Sequence, residues 1–203
     1  MFTVEIDHSG TVGRVLSTCP NPAEAGSVSS WTVSIDTTGT IERGGRIALV
    51  RRWPSDWGLP QASDPMAPDF LTVHAASGSP LRWWTELVYP WHPFDHVLYV
   101  EMLALLPAGD RIELRFGDTR SGSPGANVQT FIEEASPLSV RLLNQPGGNW
   151  TEIARVEVAV EGTDAHTLVA TAPSRVAVGE SFEIHLRVED MWGNPASDFD
   201  AEF

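Results

Sequence analysis

Arg111-Ile112-Glu113-Leu114-Arg115-Phe116 and Phe182-Glu183-Ile184-His185-Leu186-Arg187-Val188-Glu189 alternate apolar and charged residues almost without error. Successive side chains of a strand point to opposite faces, so each stretch reads as a half-buried strand. Ile112, Leu114 and Phe116 face a core in the first, and Phe182, Ile184, Leu186 and Val188 face one in the second. Weaker runs of the same kind predict strands at Trp31 to Ile35, Ile47 to Val50, Phe70 to Val73, His96 to Val100, Val128 to Ile132, Leu138 to Leu142 and Val156 to Val160. Between them lie turn formers such as Gly44-Gly45, Ser77-Gly78-Ser79-Pro80, Ser121-Gly122-Ser123-Pro124-Gly125 and Pro146-Gly147-Gly148-Asn149. Short strands punctuated this way, without a βαβ alternation, predict an all-β protein built as an antiparallel β-sandwich. Glu101 to Leu106 holds good helix formers but runs out of a strand and stops at Pro107, so it reads as a strand end or a single turn.

Organisation follows from the same punctuation. Residues 1–153 form the β-sandwich domain. Its residues 51–69 carry four prolines, Trp53 and Trp57 without periodicity, and so read as an ordered Ω-like loop packed on the sandwich. Residues 154–203 begin a second, Ig-like sandwich. An Ig-type domain needs about seven strands in roughly 100 residues, so this second module is incomplete and the chain reads as part of a longer polypeptide.

Composition excludes several function classes. Of 203 residues 42% are hydrophobic and 20% charged, which fits a globular protein. Thirteen basic against 27 acidic residues leave a formal net charge of −14, so neither nucleic acid nor an anionic membrane surface is an expected partner. Every basic residue is arginine, which removes Schiff-base and phosphate-loop lysines and supplies planar forks suited to carboxylate pairing. The single cysteine, Cys19, reads as a small buried hydrophobe. The start, Met1-Phe2-Thr3-Val4-Glu5-Ile6-Asp7-His8, lacks a basic n-region and an apolar run, so a cytoplasmic location is expected.

Candidate chemistry is sparse. No nucleophile elbow, metalloprotease helix or phosphate loop is present, so no catalytic residue, metal ligand or cofactor is assigned. His92-Pro93-Phe94-Asp95-His96 has ligand spacing for a helix, but Pro93 and the following strand spoil it; the two histidines read as polar loop residues. His8, His74, His166 and His185 are scattered among strands and loops. Asp118, Ser121, Ser123 and Asn127 fail the calcium-loop spacing, and Asp118 is expected to accept turn N–H groups and pair with Arg120. Asp190 and Asn194 are expected to stabilise their own turn. Eight tryptophans are many for this length, and Trp53, Trp57, Trp83, Trp84 and Trp91 cluster in sequence. They are the candidate ligand-binding residues, through stacking on a carbohydrate or a small ligand, against the competing reading of core or interdomain packing. Trp83 and Trp84, adjacent on a strand, must point to opposite faces.

Three stretches together resemble a known family: Asp56-Trp57-Gly58-Leu59-Pro60-Gln61 with Asp64-Pro65-Met66-Ala67-Pro68-Asp69-Phe70; Gly109-Asp110-Arg111-Ile112, Phe116-Gly117-Asp118-Thr119-Arg120, Gly122-Ser123-Pro124-Gly125 and Gln129-Thr130-Phe131; and Glu189-Asp190-Met191-Trp192-Gly193-Asn194-Pro195. They are similar to the N-terminal part of a large bacterial family of unknown function whose later portion resembles the polymerase-and-histidinol-phosphatase (PHP) metal hydrolases. The resemblance implies a non-catalytic sandwich module that packs on or assembles a PHP-like domain absent from this chain. The expected partners are that C-terminal domain of the same polypeptide and a second copy of the chain, with a carbohydrate as the alternative.

Overall fold

A computed structural model describes residues 2–4 and 10–196 of the chain. His8 and the terminal Ala201-Glu202-Phe203 lie outside the described residues. The strands are β1 (Phe2–Val4), β2 (Val12–Ser17), β3 (Ala23–Glu24), β4 (Val28–Ser29), β5 (Trp31–Thr37), β6 (Arg46–Arg52), β7 (Leu71–Ala75), β8 (Leu81–Trp91), β9 (Phe94–Met102), β10 (Arg111–Phe116), β11 (Ala126–Asn127), β12 (Glu133–Leu143), β13 (Thr151–Glu161), β14 (Thr167–Thr171) and β15 (His185–Glu189). A five-stranded sheet runs β1-β2-β5-β10-β7 and a six-stranded sheet runs β3-β13-β12-β6-β9-β8. All pairings in them are antiparallel except that of β3 with β13. The protein is all-β, as its alternation requires.

One continuous core joins the two sheets. β5 buries every second residue, Trp31, Val33, Ile35 and Thr37, and β10 matches it with Ile112, Leu114 and Phe116. From the other sheet come Ile47 and Leu49, Leu98 and Val100, Leu138 and Val140, all in the same cluster. Each such side chain contributes about 1.5–3 kcal/mol by leaving water. The charges of β10 take the outer face, where Arg111 pairs with Asp36 at 2.6 Å and Arg115 with Glu113 at 2.6 Å.

Three sequence expectations are corrected. The division after Ile153 falls inside β13, whose pairing with β12 and β3 carries the sandwich sheet on to Glu161. Residues 128–132 are not a strand: they link β11 to β12, and Gln129 is fully buried there, its amide donating to Phe131 O and Glu133 Oε2. The last strand starts at His185, and Phe182, Ile184 and Leu186 are 51%, 55% and 43% exposed. β14 and β15 form a hairpin pairing Leu168 with Val188 and Ala170 with Leu186. Among the described residues no second sheet covers that apolar face.

Candidate functional site

Parts of all three motif stretches meet at one end of the sandwich, whereas Gly109-Asp110-Arg111-Ile112 lies at the far end of β10, where Asp110 bonds Ser77. The chain leaves β6 at Arg52 and returns in β7 at Leu71 through a long loop, and the loop is tied down by its own carboxylates. Asp56 Oδ1 and Oδ2 accept from Thr130 N (3.0 Å) and Oγ1 (2.6 Å), and Asp69 accepts from Asn127 N and Nδ2, both at 2.7 Å. Gly58 is required because a Cβ there would sit 1.8 Å from Asp69 Oδ1. Gln61 braces the loop internally, donating to Asp64 O and Pro68 O and accepting from Asp64 N. The third motif joins the same cluster: Asn194 donates to Thr130 O at 2.9 Å and accepts from Ile132 N at 3.1 Å. Trp192 lies against Gly26, where a Cβ would meet the indole at 2.3 Å. Side-chain bonds of this kind replace the ladder that irregular backbone lacks.

The loop closes over a cavity in the sandwich end. Trp57 is 4% exposed and Trp31, at the start of β5, 3%. Trp31 stacks on Phe116 with centroids 3.9 Å apart and planes 4° from parallel, and meets Trp57 edge-on at 6.4 Å. The Arg51 guanidinium lies 4.2 Å from the Trp57 ring centroid and 5.4 Å from that of Trp31. Arg51 keeps phase with Ile47 and Leu49 on the inner face of β6, and its neighbours across the sheet are Leu138 and His96. Burial pushes its pKa down to about 10, against the opposing fields of Cys19 and Glu133. Cys19 is buried, and burial pushes its thiol up to about 11 despite Arg51 nearby. Beneath the loop is a cavity of about 80 Å³ lined by Arg51, Trp57, His96, Leu49, Phe116 and Leu138 among others. Arg51 escaped the sequence reading; the signal was an arginine in the apolar phase of its strand.

The five candidate tryptophans are not brought together. Trp57 is buried under Arg51, Trp53 is 59% exposed on the loop, and Trp83 packs on the inner core. Trp84 and Trp91 sit on the outer face of the six-stranded sheet, with Tyr99 and Trp150 between them. Guanidinium groups cover these outer rings: Arg46 and Arg82 lie over Trp84 at 5.3 and 5.2 Å, and Arg141 over Trp91 at 4.8 Å. A ring face so covered is closed to stacking on a sugar.

The polar candidates have structural partners. His92 is exposed at the β8–β9 hairpin tip, whereas His96 lies on the inner face with Nδ1 2.6 Å from Asp95 Oδ1. Among the described residues no group of three or more His, Cys, Asp or Glu side chains is placed to hold a metal ion. Asp118 caps the 3₁₀ turn Thr119–Ser121, taking Arg120 in a fork and Thr72 Oγ1 at 2.6 Å. Asp190 accepts from Trp192 N, Asn194 N and Nδ2, and Thr163 N.

These two carboxylates make stability depend on acid. The Arg120 bond, with Thr72 and a backbone N–H, holds the Asp118 carboxyl well below its ordinary range against its own burial. For Asp190 burial pushes upward but is outweighed by Asn194, Thr163 and Trp192. A folded pKa below the unfolded one means stability that is present above the unfolded value, about 4, and is lost as pH falls toward the folded one. Asp118→Asn is expected to lower the thermal midpoint at pH 7 and to flatten its decline below about pH 4. A variant declining as steeply as the parent in a pH series of melts would contradict this.

Fold and site together define an antiparallel β-sandwich whose open end is closed by an anchored loop. No protein-family model matches the chain. It is 22% identical over 184 residues to an uncharacterized protein of Chlamydia muridarum (strain MoPn / Nigg), a match covering 86% of this chain. The chain spans 29% of the length of that relative.

Proposed function

We propose that the chain is a non-catalytic β-sandwich module of a larger bacterial protein, which packs on or assembles a PHP-like metal hydrolase domain. In this reading the β14–β15 hairpin begins an Ig-like sandwich completed by further polypeptide. The observation that carries it is the uncovered apolar face of that hairpin. Of the 17 large hydrophobics exposed among the described residues, eight fall between Leu168 and Trp192. Such a concentration marks a surface that another segment covers. The outer aromatic face adds support, since Trp84, Trp91 and Tyr99 interleaved with arginines have the composition of interface anchors. The hydrolase identity of the neighbour rests on the motif resemblance alone.

The reading is tested with a dye for exposed apolar surface and with a phosphoester. The chain alone is expected to bind anilinonaphthalene sulfonate, to bind less of it as Ile184→Glu/Leu186→Glu, and to lose binding when the parent polypeptide that follows is attached. With manganese or zinc it is expected to hydrolyse p-nitrophenyl phosphate no faster than buffer. Hydrolysis removed by a single histidine substitution would overturn the proposal. A second reading, a small-ligand module, is favoured by the cavity under Trp57.

A further inference from the structure

A cation drawn into a core is normally hydrogen-bonded to a carboxylate, because desolvation is otherwise uncompensated. Arg51, half-buried, has no such contact: Glu133 acts on it only through its field. Among the described residues no hydrogen bond or ion pair reaches its side chain; only the two indole faces do. Arg52, its neighbour, is the one within 4.0 Å of Glu133. The deficit extends to the rings that hold it, since the indole N–H groups of both Trp31 and Trp57 are buried without an acceptor. A half-buried guanidinium and two buried indole N–H donors therefore gather at one end of the core. Buried donors left without an acceptor, as these two indoles are, are rare.

The cavity lined by Arg51 and Trp57, with Trp31 behind them, supplies the space. A water needs about 10–15 Å³ on the same measure, so about 80 Å³ holds roughly five to eight water-sized groups. Its walls are mainly apolar, from Leu49, Leu98, Phe116 and Leu138, and exposed Leu59 and Leu87 also line it. His96, beside Arg51 in the register, has Nδ1 engaged by Asp95 and keeps Nε2 as a second polar atom. The one carboxylate in the lining, Glu86, is held by Trp84 Nε1 at 2.7 Å. An apolar wall with a cationic fork selects a molecule with both features. A sugar brings more hydroxyls than these walls can satisfy, and inorganic phosphate brings no apolar body.

We propose that this cavity is a binding site for a small apolar carboxylate, its carboxylate on the Arg51 fork and its hydrocarbon body against Leu49, Leu98, Phe116 and Leu138. The guanidinium accommodates a planar carboxylate through two parallel N–H bonds, with Trp57 stacked over its face. This assignment rests on the small-ligand reading and gives that reading a ligand class.

The test uses benzoate as probe, benzyl alcohol as its neutral counterpart and inorganic phosphate as an anion without a body, followed through the indole N–H signals of ¹⁵N-labelled protein. Benzoate is expected to shift the Trp31 and Trp57 signals saturably, and to bind about tenfold or more tightly than benzyl alcohol, the size of a charge-assisted hydrogen bond. Phosphate is expected to leave them unmoved. Arg51→Met is expected to fold, since it exchanges a half-buried charge for an apolar chain, and to bind benzoate and benzyl alcohol equally. Leu87→Asp, at a position 65% exposed, is expected to weaken benzoate by repulsion without altering the melt. Equal binding of benzoate and benzyl alcohol to the parent chain would overturn the carboxylate assignment while keeping a ligand site. Failure of every probe to move either indole would overturn both readings, and so would benzoate binding unchanged in both variants.

Discussion

Trp31→Ala is expected to destabilise the sandwich by about 3–5 kcal/mol, the range for removing a buried large aromatic. The side chain is almost wholly buried and links both sheets at their shared end: flat on Phe116 at 3.9 Å, edge-on to Trp57 at 6.4 Å, and under the Arg51 guanidinium at 5.4 Å. Its loss leaves a cavity, an unstacked Phe116 and a half-buried cation with one ring in place of two. Aromatic pairing adds about 0.5–1.5 kcal/mol beyond the area term, so Trp31→Phe, which keeps the stack, is expected to cost much less than alanine. Domains of this size have about 5–15 kcal/mol in total, so the alanine variant should show a large drop in urea midpoint. Trp53→Ala, on the exposed side of the same loop, is the control, expected within about 0.5 kcal/mol of the parent. A Trp31→Ala midpoint matching that control would mean that the end of the core is not built around this ring.

The contrast between Trp31 and Trp53 shows where sequence reasoning reaches. Trp31 sits in a clean alternation with Val33 and Ile35, and both β5 and β10 follow from pattern alone. For β8 the sequence places Trp83 and Trp84 on a strand but yields no bounds, because Trp83 faces inward and Trp84 outward, so apolar residues on both faces cancel the period. β2 was missed, its short run Val12–Ser17 being interrupted by Gly13 and Arg14. The Phe182 to Glu189 stretch has the right period but only its second half is a strand. Alternation states which residues want a core and is silent on whether a second sheet is there to make one. The site was harder still. Asp69 and Asn127 are 58 residues apart and Thr130 and Asn194 are 64 apart, so no local signal connects them. Asp69, Thr130 and Asn194 fall in the motif stretches and Asn127 does not; in the structure all four are the bolts that hold the loop and the hairpin to the sandwich.

Gly117→Ala is expected to loosen those bolts and to cost about 3 kcal/mol or more. Gly117 has φ +58, where an L side chain costs about 1–2 kcal/mol on its own. The larger part is steric: a Cβ would lie 2.0 Å from Ala126 N and 2.3 Å from Gly125 C. These are backbone atoms, so no rotamer change relieves the clash. Gly125 O accepts from Asp69 N at 2.8 Å, Ala126 pairs with Ser29, and Asn127 holds the Asp69 carboxylate; displacing this segment strikes all three. Gly109→Ala separates the contributions, because its φ is +79 but nothing lies within 4 Å of the added carbon. Gly109→Ala should therefore lose about 1 kcal/mol, from backbone conformation alone. Amide exchange gives the second readout: Gly117→Ala should raise exchange at Asn127 N and Asp69 N above the change seen in Gly109→Ala. Equal destabilisation by the two substitutions, with protection at Asn127 unchanged, would show that the close approach at Gly117 contributes nothing to holding the loop.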